Sequence, residues 1–219
     1  MTAELRNEGY TINHKTVLKI MKSQGNLCKV RIKKYRSYKG TAGTVSPNLL
    51  ERNFETRKPN EKWVTDVTEF RVFGERLYLS VLLDLHCQDV VSYTLSERPT
   101  LPLAIDMMNK AFRIYPQVGK ELMIHSDQGW HYRHPHYRDM LAEREIQQSM
   151  SRKGNCLDNA VVEGFFAILK SELLQTQEFQ SKEQFIEELE KYLDYYNNRR
   201  IKTKLKNLPP AVYRQQVTR

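Results

Sequence analysis

Trp63-Val64-Thr65-Asp66-Val67-Thr68-Glu69-Phe70, followed across Phe73-Gly74-Glu75 by Arg76-Leu77-Tyr78-Leu79-Ser80-Val81-Leu82-Leu83-Asp84, decides the fold class. β-Branched and aromatic residues dominate both runs, and a short glycine-containing turn joins them, which predicts an antiparallel hairpin. Asp89-Val90-Val91-Ser92-Tyr93-Thr94-Leu95 follows closely enough to make a third strand of a meander. Beyond it, Leu103, Met107, Met108, Ala111 and Phe112 recur at helical spacing and predict a helix over 101–115. Glu121 to Asp127 reads as a short buried strand, 136–145 as a helix and Ile146 to Ser151 as a fifth strand. Asp158 to Leu174 reads as an amphipathic helix, and a last helix covers 182–198. The order β-β-β-α-β-α-β-α implies an α/β fold, a mixed five-stranded sheet flanked by helices.

The flanks have a different texture. Residues 2–25 read as two short helices, with Thr2 and Asn13 as candidate caps and Gly9 and Gly25 as stops. Val17, Leu18 and Met21 share a face of the second helix. The pattern is that of a helix-turn-helix element or of an ordinary helical hairpin. Two helices this short bury too little to stand alone, so 1–25 is expected to be a partial helix-turn-helix segment lacking an earlier helix. Residues 26–60 combine the basic run Lys29 to Arg36 with Gly40, Gly43, Pro47 and Pro59, the composition of a basic linker. That places a domain boundary near residue 60, a core over 61–180, and a C-terminal helix with a basic tail over 181–219.

Among 219 residues, 40% are hydrophobic and 28% charged, enough apolar content for a real core. A mean hydropathy of −0.66 and no run of 18 apolar residues exclude a membrane-spanning helix. Met1 to Tyr10 has no apolar core of a signal peptide. Cys28, Cys87 and Cys156 form no CxxC pair, which argues against a disulfide scaffold or a thiolate zinc site. A cytoplasmic protein is the expectation. The net charge of +9 is unevenly placed: 13 Lys/Arg against 4 Asp/Glu in 1–60, 14 against 21 in 61–190, and 8 against 1 in 191–219. Basic ends around an acidic middle point to a polyanionic partner such as nucleic acid, with solvated faces as the plainer alternative.

Three acids stand out in the acidic middle. Asp66 lies within the first strand, Asp127 ends the fourth, and Glu163 borders the apolar stripe Val162, Phe165, Leu169, Leu173. Such acids, if they converge at one sheet edge, offer the hard oxygen ligands that Mg²⁺ prefers. Strand-end acids paired with nearby bases would show the same spacing, and composition leaves both readings open. His131, His134 and His136 crowd one loop without a second ligand pair, so surface or DNA-contact roles suit them better than zinc. Tyr192, Tyr195, Tyr196, Phe165 and Phe166 read as core. Arg199, Arg200, Lys202, Lys204 and Lys206 are candidate phosphate contacts.

The stretch 63–70, then His125-Ser126-Asp127-Gln128-Gly129, then Gly154-Asn155-Cys156-Leu157-Asp158-Asn159 through Glu163-Gly164-Phe165-Phe166 with Leu169-Lys170, resembles the catalytic core of insertion-sequence transposases. The group is the one whose transposase joins the products of two overlapping reading frames, and this chain is similar to the second-frame product. Tyr196 to Arg200 and Leu208 to Tyr213 resemble the family's ending. The resemblance implies a retroviral-integrase-like core with a ribonuclease H-like fold and a D, D-35-E triad. Here 60 residues separate Asp66 from Asp127 and 35 separate Asp127 from Glu163. It makes Asp66, Asp127 and Glu163 catalytic residues holding two Mg²⁺ (or Mn²⁺) ions. It places Lys170 near the DNA end, with Lys33, Lys34, Arg36, Arg199, Arg200, Lys202 and Lys204 as further DNA contacts. Gly164 departs from the small hydroxyl residue often found after this glutamate.

The resemblance further implies DNA cleavage at insertion-sequence ends and strand transfer into target DNA, by a polynucleotidyl transferase of the nucleoid-associated cytoplasm. A homo-oligomer on DNA and the first-frame product are the implied partners. A DNA-binding regulatory remnant without chemistry, and a hydrolytic nuclease of the same fold, are the alternatives.

Overall fold

Phe73 and Gly74 both take left-handed backbone angles (φ 52° and 78°), the geometry of a two-residue turn whose twist matches that of a hairpin. They join β1 (Lys62–Val72) to β2 (Glu75–Asp84), paired antiparallel from Val72↔Glu75 to Trp63↔Asp84. β3 (Val90–Ser96) continues the meander beside β2. The chain then crosses the sheet through α3 (Leu101–Ile114) and enters β4 (Met123–Ser126), parallel to β1 on its other side. Helices α4 (Trp130–Arg133) and α5 (Pro135–Ala142) lead to β5 (Gln147–Met150), parallel to β4. The sheet order is β3-β2-β1-β4-β5, so β1, the longest strand, is central. A 3₁₀ turn (Cys156–Asn159), α6 (Ala160–Leu174), α7 (Lys182–Asn198) and α8 (Pro210–Val217) complete the chain. This computed structural model describes residues 1–27, 44–174 and 177–218.

Strand alternation divides the core in two. Val64, Phe70 and Val72 of β1 face α6 and α7, against Val162, Phe165, Leu169, Phe185 and Leu189. Trp63 faces the other way, against Ala104, Met107 and Met108 of α3 and Tyr137 and Leu141 of α5. The expected mixed five-stranded sheet with helices on its faces is present. Among the described residues, no helix is long and apolar enough to cross a membrane.

Three local expectations are corrected. Helix α1 (Thr2–Asn7) begins at Thr2 itself and has no side-chain cap, so Thr2 is one residue too late to cap it. Asn13 does cap α2 (His14–Ser23), its Oδ1 accepting from Lys15 N–H at 2.9 Å. Leu18 is exposed while Val17 is buried, so the apolar face of α2 is narrower than its sequence suggests. Second, residues 46–54, which composition assigns to a linker, carry no helix or strand yet pack on the outer edge of β5. Ser149 Oγ accepts from the N–H groups of Leu49 and Leu50 at 2.9 and 3.1 Å, Pro47 O accepts from Met150 N–H at 3.2 Å, and Leu50 is buried among the α6 and α7 side chains. Third, the basic tail folds into α8, with Pro210 in its first turn.

Candidate active site

Parallel pairing aligns Val64 with His125 and Thr65 with Ser126, so the next residues, Asp66 and Asp127, fall side by side on neighbouring strands. Alternation then directs both carboxylates to the face that carries Val64, the α6 side. Glu163 lies in the first turn of α6, which packs on β1. The three acids are thereby close enough to act on one another electrostatically. Asp66 holds its proton well above the usual carboxylate range, first because it is buried, then because Asp127 and Glu163 are also negative. The Val67 N–H (2.8 Å from Asp66 Oδ1) and the Lys170 charge oppose this shift without cancelling it.

Asp127 stands exposed at the lip of the site, but the protein packed around its carboxyl still raises its pKa, against the Gly129 N–H, His131 and Arg133. Glu163 is raised by burial and by Asp127. Among the described residues, none of the three acids forms an ion pair. Gly129 explains the loop after Asp127: its N–H donates to Asp127 Oδ1 at 2.8 Å, and a Cβ there would lie 2.8 Å from the same oxygen and 3.3 Å from the Tyr132 ring. Any side chain at 129 would push the carboxylate aside.

Behind the acids the sheet is polar but satisfied. His125, fully buried, shares hydrogen bonds with Ser149 Oγ (2.8 Å) and Ser151 Oγ (3.0 Å). Burial lowers its pKa to about 4, so the ring stays neutral and locks β4 to β5 directly below Asp127. Asp158, buried ahead of α6, gathers charges from two segments. Its Oδ1 accepts from Arg152 (2.9 Å) and Arg52 (3.0 Å), and its Oδ2 from Arg152 Nε (3.0 Å), Arg152 N–H (3.0 Å) and Asn48 (2.9 Å). Arg152 foremost, with its backbone N–H and Arg52, holds the Asp158 carboxyl far below its usual range. Both roles escape sequence reading because they depend on tertiary partners, 24 and 26 positions away for His125 and 106 and 110 for the Arg52 and Asn48 contacts of Asp158.

The basic residues singled out by sequence separate into groups. Lys170, two turns after Glu163, donates to Thr68 Oγ1 (2.5 Å) and Glu69 O (3.2 Å) and sits 5.2 Å from the Phe70 ring centre, along β1 from Asp66. Arg199 and Lys204 are exposed. Arg200 and Lys202, expected on DNA, are turned inward. Arg200 makes a two-pronged pair with Glu172 (2.7–3.2 Å), and Lys202 donates to the Tyr196 hydroxyl (2.5 Å) and Gln88 (3.1 Å). Burial, then the Arg200 charge, brings Lys202 down to about 8. Lys33, Lys34 and Arg36 lie outside the described residues. Of the loop histidines, His131 is buried and donates from Nε2 to Pro99 O at 2.8 Å, so it is no surface group.

A second acidic cluster is geometrically tighter. Asp84, Cys87 and Asp89 bring three potential ligand atoms within 4.8 Å of one another, as no other trio of His, Cys, Asp or Glu does among the described residues. Arg214 of α8 already fills it, bonding Asp89 (2.8 and 2.9 Å) and Asp84 (3.1 Å). Asp84 also accepts from the N–H groups of Asn60, His86 and Cys87 and from Trp63 Nε1. Burial pushes the Cys87 thiol up to about 12, far from a thiolate. This cluster ties α8 to the core and is a poor host for a cation. A groove of about 860 Å³ between β3, α3 and α5 contains none of the three site acids.

Comparison with known proteins agrees with this architecture. Residues 56–156 match the model of the integrase core domain, 163–217 match a second integrase core domain model, and 1–35 match an HTH-like domain. The chain is 48% identical over 217 residues to the putative transposase InsK for insertion sequence element IS150 of Escherichia coli K12, covering 99% of this chain and 76% of that one. An uncharacterised transposase-like protein of Haemophilus influenzae is 44% identical, with 99% of each chain covered. The catalytic core domain of HTLV-2 integrase in complex with magnesium shares the fold (TM-score 0.56, 19% identity, 74% of this chain and 98% of that one). So does a chain of the simian T-cell lymphotropic virus intasome (TM-score 0.61, 18% identity, 98% and 74%).

Proposed function

Since the chain belongs to the integrase-core transposases of insertion sequences, we propose that it cuts DNA at the ends of such an element and joins them to target DNA. Asp66, Asp127 and Glu163 are the catalytic and metal-binding residues in this reading. The observation that carries it is the in-register placement of Asp66 beside Asp127 on the α6 face, with the pKa of all three carboxyls raised and none in an ion pair among the described residues. Such a set is short of positive charge and consists only of hard oxygen donors, which fits two Mg²⁺ (or Mn²⁺) ions. When bound, these ions supply Lewis-acid stabilisation of the phosphoryl group and a more acidic attacking oxygen.

The chain's own residues do the holding. The rigid β1–β4 pair fixes two carboxylates, Gly129 N–H orients the second, and α6 brings the third from the opposite layer. His125 stays neutral behind them and adds no charge that would repel a cation. Lys170, fixed on Thr68 and Glu69, is assigned to the DNA backbone beside the site. Water attacks the phosphodiester at the element end and leaves a 3′-hydroxyl. That hydroxyl then attacks a target phosphodiester, one P–O bond forming as another breaks.

Residues 1–25, with Lys33, Lys34 and Arg36 in the basic 26–60 stretch, are assigned to DNA recognition, as are the exposed Arg199 and Lys204. The core of 61–180 carries the chemistry, and 181–219 supports it. Assembly as a homo-oligomer on DNA, contact with a first-frame product and a cytoplasmic location complete the proposal. With a duplex carrying the element end and Mg²⁺, cleavage and joining are expected from the native chain and absent from Asp66→Asn, with DNA binding kept by both. A native chain that binds without cutting identifies a regulator instead. One that cuts without joining identifies a nuclease.

A further inference from the structure

Arg133 ends α4, six residues after Asp127, and is 93% removed from solvent, with a relative exposure of 7%. Its Nε is enclosed and has no hydrogen-bond partner. Among the described residues the whole guanidinium has no hydrogen bond, ion pair or aromatic ring contact. Outside the three site acids, the other buried charges are matched among the described residues: Arg214 by Asp84 and Asp89, Asp158 by Arg52 and Arg152. An enclosed N–H without a partner opposes folding, so a fold that retains one beneath a guanidinium tip that reaches solvent points to a partner that arrives later.

The helix that carries Arg133 is pinned on several sides. His131 donates to Pro99 O (2.8 Å), the Tyr132 hydroxyl meets Thr65 Oγ1 on β1 (3.3 Å), and Gln148 of β5 donates to Tyr132 O (2.7 Å). Arg133 is therefore held by a rigid turn on the Asp127 side of the site. Its charge is felt at Asp127, yet the two stay beyond the 4.0 Å of an ion pair. An anion is what an unpaired guanidinium lacks, and a tetrahedral phosphate oxygen pair matches its planar fork. We propose that Arg133 is a phosphate-binding residue, which grips a backbone phosphate of the DNA strand entering the Asp66–Asp127–Glu163 site. This rests on the reading of that site as the one that takes DNA. The guanidinium offsets the repulsion between three carboxylates and a phosphodiester, and it selects where the strand sits.

The test is a binding measurement, in Ca²⁺, with a fluorescent duplex copied from the repeat that flanks the gene. Arg133→Gln is expected to weaken binding about tenfold and to lower the slope of log affinity against log salt by about one. Neutral methylphosphonates placed singly along the strand provide the decisive readout. One position near the cleavage point is expected to weaken the native chain about tenfold and leave Arg133→Gln nearly unaffected. Arg133→Met, which removes the unpaired charge, is expected to melt at the same temperature or higher. An Arg133→Gln variant as sensitive as the native chain at every methylphosphonate overturns the proposal, as does a marked loss of melting temperature in Arg133→Met. Absence of metal-dependent cleavage, with the methylphosphonate coupling intact, would instead retire the catalytic reading and leave the phosphate contact standing.

Discussion

Two groups of acids in this chain look alike by composition and differ in everything that matters for chemistry. Asp84 and Asp89, with Cys87, lie within 4.8 Å of one another and are closed by Arg214, backbone N–H groups and the Trp63 indole. Asp66, Asp127 and Glu163 are held by strand register and a helix face, repel one another, and have no ion pair among the described residues. The tighter cluster is structural because its charge is already answered. The looser one is chemical because its charge is not. Proximity of potential ligands is therefore a poor guide to a metal site unless the cations already present are counted with them.

The comparison can be broken most sharply through the reaction. Asp127→Asn or Glu163→Gln should reduce cleavage of an element-end duplex by on the order of 10³-fold, since removing a ligand forfeits several kcal/mol of transition-state stabilisation. The same substitutions should leave the circular dichroism unchanged and the melting temperature equal or higher. Next in size, Arg214→Met strands two buried carboxylates and should cost about 3–5 kcal/mol in urea unfolding. If it costs nothing, the second cluster is not the anchor described here.

A smaller effect comes from metal linkage. Mg²⁺ at a hundred times its dissociation constant should stabilise the native chain by about 2.7 kcal/mol, read as a rise in melting temperature. That rise should vanish in Asp66→Asn and persist in Cys87→Ser.

The smallest effect is in pH, and its sign differs between regions. Asp66 has a raised pKa in the folded chain, so its contribution is present at low pH and lost as pH rises through that value. Without metal, the native chain should therefore lose stability relative to Asp66→Asn as pH climbs above the ordinary carboxylate range. Asp158 has a lowered pKa, so its contribution is present at neutral pH and lost on acidification below the ordinary range. Asp158→Asn should differ most from the native chain at neutral pH and least in acid. Unfolding curves from about pH 2 to about pH 8 check both signs.

Much of the fold was legible because it rests on local patterns. Residues 63–84 carry the β-branched and aromatic content and the glycine turn of a hairpin, and α7 occupies the expected 182–198. The three acids were visible as exceptions in apolar elements, and the motifs around them carried the family resemblance. Sequence could not show which acids were answered, since Arg214 reaches Asp89 across 125 positions and Arg52 reaches Asp158 across 106. For the same reason Arg200 and Lys202 read as a DNA-facing tail until Glu172 and Tyr196 were seen to hold them. Residues 46–54 read as linker because two leucines among polar neighbours leave no periodicity, although Leu50 is part of the core.

Mn²⁺ titration calorimetry on three forms of the metal-free protein, the native chain, Asp127→Asn and Cys87→Ser, tests the contrast between the two clusters most directly. The expected result is binding by the native chain and Cys87→Ser alike, and its loss in Asp127→Asn. Binding that survives Asp127→Asn and disappears in Cys87→Ser would contradict it, and would move the metal to the cluster that Arg214 now closes.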